Sequence, residues 1–158
     1  MKKILFKESQ KFRQPWLWVL LITVMGISLF SLIYGYTMGA VDLGTAIPVV
    51  FVSLVFLWLF AVMKLETTVN ASGIKIKFYP LVSRSFNFDQ VREMKVINYG
   101  FIGGWGIRLW TGYGTVYNVR GSMGLHFKYR TPAGMPKEYI IGTQRPEELQ
   151  SIINNLVN

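Results

Sequence analysis

QPWLWVLLITVMGISLFSLIYGYTMGAVDLGTAIPVVFVSLVFLWLFAVM, residues 14–63, decides the architecture of this chain. Asp42 is its only charged side chain. A helix rising 1.5 Å per residue needs about 20 apolar residues to cross a hydrocarbon core of about 30 Å. The charge-free runs on either side of Asp42 each reach that length. The stretch therefore reads as two membrane-spanning helices, about 15–37 and about 45–63, joined by a short turn over Thr37–Gly44. Pro15 suits a first helical turn, where its missing N–H costs nothing. Thr45 is the expected N-cap of the second helix, with Pro48 tolerated in the turn that follows. Trp16 and Trp18 fall at one headgroup layer, and Tyr34 and Tyr36 at the other.

Charge outside the hairpin sets its orientation. The segment before it carries Lys2, Lys3, Lys7, Lys11 and Arg13 against Glu8, and the domain after it is also basic, while the tip has only Asp42. Lys and Arg on both flanks and none at the tip is the positive-inside pattern. It implies a multi-pass protein of the inner or plasma membrane with both termini cytoplasmic. This topology accounts for the formal net charge of +9 without nucleic acid as a partner. The first run is longer than the h-region of a signal peptide and a second span follows it, so a retained anchor is expected.

Three regions follow from this reading: a basic cytoplasmic tail over 1–14, the transmembrane hairpin over 15–63, and a cytoplasmic domain over 64–158. The domain reads as all-β. Apolar and polar residues alternate over Lys64–Val69 and Ile74–Tyr79, on either side of the turn Asn70-Ala71-Ser72-Gly73. Ser83–Phe88, Arg92–Tyr99, Gly114–Arg120, Gly124–Arg130 and Lys137–Thr143 complete about seven strands. Leu125, Phe127 and Tyr129 face inward on one of them, against His126, Lys128 and Arg130. A helix over Pro146–Val157 closes the chain, with Glu147 and Glu148 in its first turn and Leu149, Ile152, Ile153 and Leu156 as its apolar stripe.

This order resembles bacterial membrane proteins that carry pleckstrin-homology-like domains. Three runs are similar to a small uncharacterised family of that kind: Glu8-Ser9-Gln10-Lys11-Phe12-Arg13-Gln14, Gly103-Gly104-Trp105-Gly106-Ile107-Arg108, and Ile141-Gly142-Thr143-Gln144-Arg145-Pro146-Glu147. The resemblance implies a membrane α-helical hairpin plus an all-β domain, the latter a partly open β-barrel or sandwich capped by the C-terminal helix. It carries over no catalytic residue.

The residues themselves offer little chemistry. The chain has one histidine and no cysteine, which removes disulfides and thiolate nucleophiles. No acid–base pair, triad, metal set or dinucleotide fingerprint can be assembled from the spacing, so no enzyme and no cofactor is expected. Binding is the remaining class. Gly103, Gly104, Trp105, Gly106 and Arg108 form a candidate interaction loop, because Trp and Arg are common interface anchors. Lys75, Lys77, Lys128 and Arg130 are candidate lipid-facing residues. Ser31, Gly35 and Gly39 recur every four residues and suit close helix packing, within the hairpin or between two copies. The expectation is a non-catalytic binding or scaffolding module that meets membrane lipids, a protein partner or a second copy. Its alternatives are an anionic-lipid sensor and an accessory subunit of a larger transport or envelope complex.

Overall fold

The structure, a computed structural model, describes residues 3–100, 105–131 and 133–157. The chain forms two compact units: Phe12–Met63, and Met1–Lys11 together with Lys64–Asn158.

The first unit holds α1 (Pro15–Thr37) and α2 (Leu43–Val62). Both are long and apolar enough to cross a membrane, with mean hydropathies of 2.3 and 2.5. Neither buries a residue within the protein, as expected of helices whose apolar surface is matched by lipid. α1 ends in a Schellman motif: Gly39 N–H donates to Tyr36 O at 3.0 Å and Ala40 N–H to Gly35 O at 2.8 Å, with Gly39 at φ +68°. α2 begins two residues before the expected start. Asp42, rather than Thr45, is its N-cap, and the Asp42 carboxylate accepts the Thr45 N–H at 2.7 Å. Asp42 is a strong cap because its short side chain returns to the backbone three residues on. Its carboxyl is held below the usual range by that same hydrogen bond.

The second unit is built from nine strands among the described residues, followed by one helix. β1 (Ile4–Lys11), β2 (Lys64–Asn70), β3 (Gly73–Tyr79) and β4 (Val82–Asn87) form an antiparallel sheet in chain order. β5 (Val91–Asn98), β6 (Gly106–Thr111), β7 (Gly114–Asn118), β8 (Met123–Arg130) and β9 (Pro136–Gly142) form the second sheet, in the order β5-β8-β9-β7-β6. Its β7–β9 pairing is parallel and the others are antiparallel.

Two strands exceed the expected seven. β6 follows the glycine run. β1 corrects the reading of residues 1–14 as a tail outside the domain, because Lys7 through Lys11 pair residue by residue with Thr68 through Lys64. β1 escapes an apolar-alternation test because its inward positions are Phe6, Glu8 and Gln10, two of them polar and all buried.

The sheets meet through an aromatic cluster. Phe86 of β4 lies 5.0 Å from Phe127, 5.2 Å from Tyr129 and 4.7 Å from Tyr139, centroid to centroid. Around it Leu65, Val69, Ile74, Ile76 and Phe78 of the first sheet and Leu125 and Ile141 of the second are at 0–1% exposure, while Ile140, on the other face of its strand, clusters with Tyr99 and Val116. α3 (Pro146–Val157) packs on β5, β8 and β1, burying Leu149 and Ile153, with Ile152 and Leu156 half-buried beside them. Gln150 also reaches the edge strand, where its Oε1 accepts the Val96 N–H at 2.8 Å.

Candidate interaction surfaces

A strand with one buried face presents alternate residues to solvent. In the first sheet the outward positions are Lys7, Ser9 and Lys11 on β1, Lys64, Glu66 and Thr68 on β2, Lys75, Lys77 and Tyr79 on β3, and Ser83 and Ser85 on β4. The register sets Lys11 opposite Lys64, Lys64 opposite Tyr79, Glu66 opposite Lys77, and Lys75 opposite Ser85. Five lysines thus share one sheet face with a single carboxylate. Glu66 bonds Lys64 Nζ at 2.7 Å, and this bond, aided by the charges of Lys64, Lys7 and Lys77, holds its carboxyl below the usual range. Lys11 and Lys64 are directly opposed like charges, an unfavourable cross-strand pair that folding alone does not select.

The second sheet's outer face sets Arg92, Lys95, Lys128 and Arg130 against Glu93 and Glu138. Lys128 Nζ sits 2.6 Å from the Glu93 carboxylate, and His126 Nε2 lies 3.1 Å from Glu138. Glu93 has φ +54° at a bulge in β5, the irregularity between Arg92 and Lys95 in its pairing with β8. The hydrogen bond from Lys128 to Glu93, aided by the Glu93 charge, raises the Lys128 ammonium above its ordinary value. The four candidate lipid-facing residues therefore divide: Lys75 and Lys77 stand on one sheet, and Lys128 and Arg130 on the other, with Lys128 paired. Lys7, Lys11 and Lys64 complete the first group. Their alternation with Ser9 and Glu66 is visible in the sequence, but grouping them requires the pairing of β1 with β2.

Of the candidate loop, Gly103 and Gly104 lie outside the described residues. Trp105 is half-buried just before β6, Gly106 opens that strand at φ +110°, and Arg108 is half-buried on it. Among the described residues β6 is an edge strand, paired with β7. Burial of the neighbouring Tyr99 pushes its phenol up to about 12, against the opposing pull of the Arg108 charge.

Glu8 and Gln10 meet the corner Gly142–Arg145 in space. Thr143 Oγ1 donates to Glu8 Oε2 at 2.7 Å, Gln144 N–H to Glu8 Oε1 at 2.8 Å, and Gln10 Nε2 to Gly142 O at 2.7 Å. Arg145 bonds the Lys7 carbonyl at 3.1 Å, stands over the Phe6 ring and pairs with Glu148. The buried carboxylate is thus satisfied by the corner between β9 and α3, and its role is to lock β1 into the domain.

Within the helical unit, Trp18 Nε1 donates to Phe12 O at 2.9 Å, Tyr34 stacks on Phe30 at 6.5 Å, and Trp16 and Tyr36 are exposed. The small-residue run divides by role. Ser31 is exposed, Gly39 supplies the left-handed cap, and Gly35 makes room for the returning turn, since a Cβ there would stand 2.7 Å from Val41 Cγ2. Comparison with protein-family models, with curated proteins and with solved structures finds no match.

Proposed function

We propose that this is a small integral membrane protein of the bacterial inner membrane whose β unit is a cytoplasmic, pleckstrin-homology-like binding module without catalytic activity. The observation that carries this reading is the pairing of β1 with β2. The two candidate spans are an insertion between adjacent antiparallel strands, whose last rung is Lys11 opposite Lys64. A chain that leaves and returns on the same rung crosses a membrane an even number of times. Two crossings therefore keep residues 1–11 and the whole β unit on one side, and the positive-inside pattern makes that side cytoplasmic. The four-stranded meander, second sheet and closing helix support the pleckstrin-homology-like assignment, although the parallel β7–β9 pair departs from a simple meander.

Binding rather than catalysis is supported by how the titratable groups are used. His126 is engaged by Glu138 and by the edge of the Tyr113 ring, and Glu8 serves the fold. The cysteine-free sequence allows a clean topology test. Ala40→Cys should react with an impermeant maleimide added to intact cells, and Ser83→Cys only after permeabilisation. Labelling of Ser83→Cys in intact cells would overturn the reading.

A further inference from the structure

We infer that the outer face of the four-stranded sheet, carrying Lys7, Lys11, Lys64, Lys75 and Lys77, is a docking surface for anionic lipid headgroups. The inference rests on the membrane-anchored reading and names its ligand. Three observations choose lipid over other polyanions.

The first is charge. The lysines stand among Ser9, Thr68, Ser83 and Ser85, short hydroxyl side chains that leave the ammonium groups free to reach a planar array of phosphates. The single carboxylate is already bonded to Lys64. Each such cation near an anionic leaflet adds attraction that falls off within a Debye length.

The second is an apolar rim at one end of this face. Tyr79, the register partner of Lys64, is 50% exposed with the Lys64 ammonium 5.8 Å from its ring centroid. Leu81, in the turn that follows, is 55% exposed. An exposed tyrosine and leucine beside lysines suit the headgroup–acyl boundary, where amphipathic rings and long cationic side chains both settle. Nucleic acid would not reward an exposed leucine.

The third is continuity of the chain. The rim and the Lys11–Lys64 rung lie at the end of the sheet where β1 and β2 lead into the spans, through the three residues 12–14 and the one residue Met63. The outer face of the second sheet also carries Arg92, Lys95 and Arg130, but its Lys128 is already held by Glu93 and none of its strands leads into the spans.

The test uses the full chain in lipid nanodiscs, of phosphatidylcholine alone or mixed with phosphatidylglycerol. Lysine acetylation by a water-soluble ester is read residue by residue by mass spectrometry. Lys75 and Lys77 should react several-fold more slowly in the anionic discs and regain full reactivity at about 1 M salt, where the screening length is about 3 Å. Exposed Lys137 on β9 should react equally in both. In the exposed double variant Lys75→Glu/Lys77→Glu, protection of Lys7 and Lys11 should disappear. Equal reactivity of Lys75 and Lys77 in the two lipids, in a chain that co-elutes with the discs, overturns the inference and leaves the membrane reading intact. A chain that does not co-elute with either disc overturns both.

Discussion

Glu8 is 6% exposed, and each of its carboxylate oxygens accepts a hydrogen bond from a residue about 135 positions away. Glu8→Ala would remove the acceptor of the Thr143 hydroxyl proton and of the Gln144 N–H. Leaving such groups buried without partners costs about 1–3 kcal/mol. The apparent melting temperature of the purified chain should fall accordingly, while Ser9→Ala on the exposed side of the same strand should leave it unchanged. Tyr99 offers a second test. Burial raises its phenol to about 12, so its folded form resists ionisation where an unfolded tyrosine at about 10 has already lost its proton. Its contribution to stability is complete below about pH 10 and is lost as pH rises toward 12. In an alkaline absorbance titration Tyr99→Phe should remove a late-titrating phenol near pH 12. An unchanged curve at that end would contradict its burial.

At the scale of elements, legibility followed the chemistry of the inward face. β3 alternates Ile74, Ile76 and Phe78 with Lys75, Lys77 and Tyr79, and its hairpin to β2 is closed by Asn70 Oδ1 accepting the Ser72 N–H at 2.9 Å. Both features are local, so the sequence alone shows them. β1 does not alternate in hydropathy, since Glu8 and Gln10 point inward. Their burial is acceptable only because Thr143, Gln144 and Gly142 supply partners from the other end of the chain. β6 was hidden for a different reason: glycines on its N-terminal side read as loop, and only its pairing with β7 makes it a strand. The small residues of α1 show the converse. Their spacing was visible, but Gly39 serves a cap and Gly35 a turn, and both depend on where the helix ends.

At the scale of the whole molecule, the hairpin is an insert in a β-ladder. Lys11 and Lys64 face each other, so a two-residue Asn-Gly turn could join them directly. The chain in which Asn-Gly replaces residues 12–63 should be soluble and show a cooperative, β-type circular dichroism melt. A fragment beginning at Lys64 lacks β1, exposes the edge of β2 and leaves the partners of Glu8 unpaired. It should aggregate or melt well below the turn-linked form. If the two behave alike, β1 contributes nothing to the domain.

The sequence by itself determined two helices long and apolar enough to cross a membrane, most of the strands and the closing helix. Each of these depends on the hydropathy or charge of residues close together in the chain. Tertiary structure decided that the N-terminal segment is a strand, that the two apolar helices lie in the chain between paired strands, and which lysines share a face. Those outcomes depend on register and on hydrogen bonds between opposite ends of the chain, and no local pattern encodes them.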